Sequence, residues 1–348
     1  MNIEIRKVEK EELLGEYFDA YCKIVRLQRA QHTPDNPPPS NERIRIGLEE
    51  ESDDWLTIRH LAFAGDDIVG LLEFGSLKPG AANYIENKEF GWLDIFIVDS
   101  YRRQGTGTKF AKQAILALKE LGVTKIDAGS VSQNGQRFLE QLGATLKSKF
   151  SDRNLDLNTM NWSIADDWLE IRNKLPDKWS IEFHVEISDN FIEQVIDVSH
   201  DIVCELRAMS SYEFVSTRES EIKDWKEFAR WVEKTGEKYS CFLIKDDSGK
   251  VVGYTEGGFR NDNPSQFQQY VTGVTKSKRG LGLGKLLKAL MLDYIRREHP
   301  EVQKISTGSN DLNDPMHGIN NILGFTPGLT RSNYRLEIDK SSKKLQEI

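Results

Sequence analysis

The chain has 348 residues, 38% hydrophobic and 29% charged, with a formal net charge of −8. Its length exceeds one typical domain, and its composition is that of a globular chain with enough apolar residues for two cores. The acidic balance argues against a broad nucleic-acid or anionic-membrane surface. No apolar run can span a bilayer and the N-terminus lacks a signal-peptide core, so a cytoplasmic protein with no nucleic-acid or membrane partner is expected.

The same series of elements is predicted twice along the chain. A strand over residues 2–8 leads into a helical stretch. Pro34-Asp35-Asn36-Pro37-Pro38-Pro39-Ser40 must be a loop, because its prolines fix φ and remove donors. The acidic residues Glu49, Glu50, Glu51, Asp53 and Asp54 either form a solvated loop or attract a cationic acceptor. Leu61–Ala64 and Ile68–Phe74, joined by Gly65-Asp66-Asp67, read as a hairpin. The apolar run Trp92–Val98 precedes the turn Arg102-Arg103-Gln104-Gly105-Thr106-Gly107. A helix follows with Phe110, Ala114, Ala117, Leu118 and Leu121 on one face, then a strand over 125–130 and a helix ending Leu142-Gly143-Ala144. Asp166–Ile171 reads as a connecting helix before Pro176, which sets domains at residues 1–165 and 178–340.

The second pass begins with a strand over 180–186. Its hairpin joins Cys241–Ile244 to Val251–Glu256 through Asp246-Asp247-Ser248-Gly249, and Tyr270–Val274 leads to the turn Arg279-Gly280-Leu281-Gly282-Leu283-Gly284. Leu283, Leu286, Leu287, Leu290, Met291 and Ile295 then share a helical face, followed by a strand over 303–308 and a helix ending Leu323-Gly324-Phe325. Gly70 and Glu73 in the first hairpin match Gly253 and Glu256 in the second at a constant offset, as a duplication requires. Each half is α/β with a mixed sheet.

The two glycine turns carry the chemistry. Free N–H groups at a helix start, added to the positive end of the helix dipole, form an anion site, and glycines let a pyrophosphate approach without a Cβ in the way. A dinucleotide fingerprint needs a third glycine that both turns lack, and a nucleotide-triphosphate loop needs a Ser or Thr where Leu286 stands. Lys276, Lys278, Arg279, Lys285 and Lys288 make a basic cluster suited to phosphates. The cysteines Cys22, Cys204 and Cys241 and the six histidines show no ligand spacing, so neither a metal nor a catalytic thiol is expected.

Arg-x-x-Gly-x-Gly between strand and helix, followed by a strand, an asparagine loop and a helix ending in Leu-Gly-Phe, resembles the GNAT superfamily of acetyl-CoA-dependent N-acetyltransferases. The resemblance covers nearly the whole chain, twice. It implies two tandem α/β units, each a mixed, mostly antiparallel sheet flanked by helices, with acetyl-CoA as the cofactor and the amine of a small molecule or peptide as the acceptor. Each strand before a turn should carry a bulge and splay from its neighbour. Acetyl-CoA should lie against Ile97, Val98, Arg102, Arg103, Gln104, Gly105, Thr106, Gly107 and Asn134 in the first copy. In the second it should lie against Val274, Thr275, Arg279, Gly280, Leu281, Gly282, Leu283, Gly284, Lys285 and Asn313, with Asn310 close by.

Direct attack by an amine needs a base for the ammonium proton, for which Glu256, Glu73 and Asp94 are the carboxylates and His317 a further proton carrier. Many relatives place a tyrosine where this chain has Leu139 and Asn320. Glu256, Asn320 and His317 are therefore the catalytic candidates. The fuller glycine turn, the basic cluster and the complete Leu-Gly-Phe single out the C-terminal copy as the working one, the N-terminal copy being degenerate or supporting. The alternative is an acyl-CoA-binding sensor or scaffold without turnover.

Overall fold

The structure, a computed structural model, describes residues 3–34, 36–209 and 213–347. Met1 and Asn2, read at the start of the first strand, and Asp35 of the proline loop lie outside them. The chain forms two compact units, Met1–Lys149 with Arg331–Ile348, and Phe150–Thr330.

The first unit contains β1 (Glu4–Val8), α1 (Lys10–Leu14), α2 (Phe18–His32), α3 (Asn41–Glu49), β2 (Trp55–Ala64), β3 (Asp67–Leu77), α4 (Tyr84–Asn87), β4 (Phe90–Ile97), α5 (Thr106–Glu120), β5 (Lys125–Ser130), α6 (Gln133–Gln141) and the start of β6 (Thr145–Asp156). Its strands pair in the order β1-β2-β3-β4-β5, antiparallel except for β4 with β5. Alternation along each strand loads both faces of the sheet. Leu61, Leu71 and Phe96 pack with Tyr21, Ile24 and Val25 of α2, while Leu72, Phe74 and Leu93 pack with Phe110, Ala114 and Leu118 of α5. Each such fully buried leucine or phenylalanine is worth about 1.5–3 kcal/mol.

The second unit continues through the rest of β6, then α7 (Trp162–Leu169), β7 (Ser180–His184), α8 (Asp189–Met209), α9 (Arg218–Thr235), β8 (Lys238–Lys245), β9 (Val251–Phe259), β10 (Gln266–Val274), α10 (Leu283–Glu298), β11 (Lys304–Asn310), α11 (Asp314–Leu323) and β12 (Thr326–Glu337). The strands pair in the order β7-β8-β9-β10-β11, again with a single parallel pair, β10 with β11. One face packs on α8 through Val195, Ile196 and Tyr254, the other on α10 through Leu286, Leu287 and Ile295.

A single cut between residues 165 and 178 does not describe these units, because each sheet takes its last strand from the other half of the sequence. Phe150–Asp156 of β6 pair with β11, and Ser332–Glu337 of β12 pair with β5. Helix α12 (Ile338–Glu347) then belongs to the first unit, where Tyr334, Leu336 and Ile338 enter the α5-side core. Arg335 lies 2% exposed, with Nε and Nη2 donating to the Asp127 carboxylate at 2.6 and 3.0 Å. The connecting helix α7 packs Ala165, Trp168 and Leu169 into the α10 core, which is why the chain between the two repeats is part of the second unit.

The two strand-turn-helix junctions have one backbone design. A 3-10 turn, Asp99–Tyr101 or Lys276–Lys278, follows the strand, and the arginine next in line bends back to it: Arg102 Nε donates to the Ile97 carbonyl at 2.9 Å and Arg279 Nε to the Val274 carbonyl at 3.1 Å. Left-handed backbone then occurs at Arg103 (φ 63°) and Gly105 (φ 83°), and at Gly280 (φ 84°) and Gly282 (φ 79°). Arg103 thus holds a conformation that its counterpart meets with glycine.

Asp127→Ala should lower the unfolding free energy by about 3–5 kcal/mol, because it leaves a buried guanidinium without its carboxylate. Urea denaturation measures this, and an unchanged midpoint would show that the returning strand adds little. In the same measurement Arg103→Gly should raise stability by about 1 kcal/mol by relieving the left-handed arginine.

Candidate active site

β4 pairs with β3 along its length, from Ser76 opposite Gly91 to Gly70 opposite Ile97. With β5 it pairs only at Phe90, Gly91 and Trp92, so the strands part beyond Trp92 and leave the edge of β4 open from Leu93 to Ile97. β10 likewise pairs with β11 only at Gln266, Phe267 and Gln268. Here the strand also bulges: the register slips between Gln269 and Thr272, so that Tyr270 and Val271 together face Glu256. The expected splay is present in both units, while the register of β4 against β3 is regular, without the expected bulge.

In the first unit the splay opens a cleft of about 660 Å³. Leu93 to Ile97, Arg102, Arg103, Thr106, Gly107 and Asn134 line it, joined by Gln31 and His32 of α2, Ala128–Ser130 of β5 and Arg137, Phe138 and Leu139 of α6. Thus Ile97, Arg102, Arg103, Thr106, Gly107 and Asn134 of the expected set meet in one place. Val98 serves the backbone, its N–H donating to Val69 at 2.9 Å. Gly105 is the N-cap of α5, no side chain caps the helix, and no heavy atom lies within 4 Å of where a Cβ would stand. The first-turn amides therefore face an open cradle, which fits a diphosphate. A Cβ on Gly107 would stand 3.7 Å from Phe138, so this glycine sets the approach of α6.

Arg102 is not a free positive charge. Its guanidinium pairs with Asp99 at 2.7 Å and donates to Gln31 at 2.8 Å, so its work is to fix the turn. Arg279 is held in the same way by Glu205.

The α2 side of the cleft carries the carboxylates. Asp94 and Glu73 face each other across β3 and β4. Glu73 is ion-paired: it accepts from Arg59 Nε at 2.7 Å and from the Tyr21 hydroxyl at 3.3 Å. Glu51 pairs with the same Arg59, so it belongs to this ionic cluster rather than to a solvated loop. Among the described residues Asp94 has no ion pair; it accepts from Gln28 Nε2 at 2.9 Å and also from the backbone of Ile95. Burial, and then the Glu73 charge, push its pKa up to about 6. Burial, with Arg331 and Arg29 nearby, lowers His32 to about 4, so its ring is neutral at pH 7.

The second unit has the same skeleton with other side chains. Gly282 caps α10 without a side-chain cap, and Gly280 has open space where a Cβ would stand. A Cβ on Gly282 would meet Ile171 at 3.1 Å and one on Gly284 would meet Ile319 at 3.3 Å. The basic cluster is dispersed. Lys278 lies over Trp179, Lys285 over Trp168, and Lys288 is buried, donating to Gln269 Oε1 at 2.5 Å. Lys288 falls on the inner face of α10, where burial lowers its pKa to about 7, so it is no surface phosphate ligand. Leu281 is exposed, Leu283 enters the core, and the Thr275 N–H donates to Val252.

The three catalytic candidates do not form one constellation of hydrogen bonds. Glu256 is buried, accepts from the Tyr239 hydroxyl at 2.8 Å and is pushed by burial to about 7. Asn320 is fully buried with neither amide atom paired, an orphaned group that fits a polar ligand atom. His317 is tied to the end of β11: its Nε2 donates to the Asn310 carbonyl at 3.0 Å, and Nδ1 lies 3.5 Å from the Ser309 hydroxyl. Asn313 caps α11, its side chain accepting from the Met316 N–H, whereas in the first unit Ser132 caps α6 and Asn134 lies inside the first turn. Gln28, Gln31 and His32 were missed. All belong to α2, on which the glycine turns have no bearing, and only the spacing of Gln28 and His32 on one helical face hinted at a shared surface.

The sequence model of the Acetyltransferase (GNAT) family matches residues 22–144 and again 202–325. No curated protein sequence matches the chain. Among solved structures, a tandem GNAT protein from the clavulanic acid biosynthesis pathway is 21% identical with a TM-score of 0.74, over 97% of this chain and 99% of that one. A GCN5-related N-acetyltransferase from Sphaerobacter thermophilus is 13% identical with a TM-score of 0.61, over 97% and 96% of the two chains. At these identities the likeness speaks for the fold alone, and it is the two sequence matches, in the two places where a splayed strand meets a glycine-capped helix, that decide the matter: the chain belongs to the acetyltransferase (GNAT) family and carries two such units in tandem.

Proposed function

We propose that the protein is an acetyl-CoA-dependent N-acetyltransferase that acetylates a primary amine by direct attack, and that the N-terminal unit carries the transfer. The observation behind this reading is the cleft whose lining takes in Thr106 and Gly107, at the start of the helix capped by Gly105, and the buried carboxylate of Asp94. The fuller glycine turn and the lysines favour the C-terminal copy in the sequence, but Ile171 and the tryptophan stacks crowd those features there.

Acetyl-CoA supplies a thioester whose acyl carbon bonds the amine nitrogen as the carbon–sulfur bond breaks, the sulfur leaving as thiolate and taking up the nitrogen's second proton to give the free thiol. The amides of Thr106 and Gly107 hold its diphosphate, with Arg103 and Arg137 beside them. The open edge of β4 from Leu93 to Ile97 offers main-chain groups to the extended arm. Asp94 takes the proton of the incoming ammonium, and Gln28 holds the carboxylate in place for it. A carboxyl near pKa 6 is ionised at pH 7 and is a stronger base than an ordinary aspartate.

A second reading, cofactor binding without turnover, is favoured by Leu139 and Asn320 standing where relatives have a phenol. Release of free thiol from acetyl-CoA with a pooled amine library separates the two.

Asp94→Asn should cut thiol release by about 10²–10⁴-fold, while Glu256→Gln leaves most of it. An equal loss in both, or a loss in Glu256→Gln alone, would move the transfer to the second unit. For the wild type, kcat/KM should rise with pH through about 6 as Asp94 loses its proton. A raised carboxyl pKa means that folding favours the protonated form. The stability this contributes is present at low pH and lost as pH rises through 6, so Asp94→Asn should melt no lower than the wild type at pH 8.

A further inference from the structure

Two arginines near the Asp94 side of the first cleft, Arg29 and Arg331, have no ion pair among the described residues. Arg331 comes from β12, next to Ser332, which pairs with Ser130 of β5. Its stem passes over β5: a Cβ on Gly129 would stand 3.4 Å from Arg331 Cδ, and Gly129 lines the cleft beside Asp94 and His32. Arg29 follows Gln28, which holds Asp94, on the exposed side of α2. Among the described residues neither guanidinium has an ion pair or a side-chain hydrogen bond, whereas Arg6, Arg26, Arg59, Arg102 and Arg335 of this unit are all engaged. Arg29 and Arg331, from two elements, both act electrostatically on Asp94 and on His32.

From this arrangement we infer that the acceptor is an amine that also bears a carboxylate, an amino-acid-like molecule whose carboxylate lies between Arg29 and Arg331 while its amine points to Asp94. The inference rests on the transfer reading for the N-terminal unit. The chemistry is complementary at both ends. A planar guanidinium binds carboxylate through parallel N–H donors, and a cation without a carboxylate would enter against two unpaired like charges. His32, neutral at pH 7, adds a hydrogen-bonding edge and no charge. Arg59 pairs with Glu73 and offsets part of its charge.

The test compares amines with and without the carboxylate in the full-length protein: lysine against cadaverine, ornithine against putrescine, and glycine against methylamine, with acetyl-CoA, reading free thiol. At least one carboxylate-bearing member should exceed its decarboxylated partner tenfold or more in kcat/KM. Arg331→Gln, which keeps the stem over Gly129, and Arg29→Gln should each shrink that ratio severalfold through KM. Equal or better turnover of the decarboxylated partners by the wild type overturns this inference and leaves the acetyltransferase reading standing. A ratio that survives in the double variant also overturns it, and thiol release from no amine of either kind overturns both.

Discussion

The constraint on which each unit depends is the brevity of its one parallel strand pair. β4 and β5 stay bonded for three residues, as do β10 and β11, and then part. A parallel ladder that stops early costs backbone hydrogen bonds, and an edge left open inside a sheet is ordinarily a liability. It persists because the two faces are packed independently. Leu93 and Ile97 are held on the α5 side, Phe96 on the α2 side, and the antiparallel bonds to β3 continue to the end of the strand. The gap therefore passes through the sheet, joining a helix N-terminus on one side to a carboxylate on the other.

On that shared skeleton the two copies have exchanged their charges. At the position opposite the hairpin glutamate, the first unit has Arg59 facing Glu73 and the second has Cys241 facing Glu256. Losing the arginine leaves Glu256 in an apolar setting, bonded by Tyr239, which is why burial dominates its proton affinity. The carboxylate at the cleft moves the other way. At the same distance before Arg102 and Arg279 stand Asp94 and Val271, and on the helices Ala111 is matched by the buried Lys288. The second unit thus keeps an internal lysine and a buried asparagine whose side chain has no hydrogen-bond partner among the described residues. These are different electrostatic solutions on one backbone.

The backbone was legible because its signals are local. Left-handed positions demand glycine, strands alternate, and helix faces repeat, so the duplicated order of elements, both cradles and the splay followed from short stretches and the family they resemble. What could not be read was placement that depends on distant partners. Lys288 counts as one of a basic cluster in the sequence, yet it is buried against β10, where it donates to Gln269. Arg102 and Arg279 look like free charges until Asp99 and Glu205 are brought beside them. The domain boundary misled for the same reason. A connecting helix marks where the repeat starts again, but not that β6 and β12 each cross from one sheet's set of residues to the other's.

That exchange of strands also bears on the chemistry. Arg331 opens the segment that returns to the first unit, so the residue with its stem on the wall of the N-terminal cleft is encoded after the whole C-terminal repeat. A free N-terminal half would lack that guanidinium, the Arg335–Asp127 pair and the Tyr334, Leu336 and Ile338 part of its core together. Duplication alone yields two independent copies that are free to decay. Once each copy completes its sheet with a strand from the other half of the sequence, loss of the second repeat removes part of the first unit's core and cleft wall, and both copies come under the same physical requirement to fold.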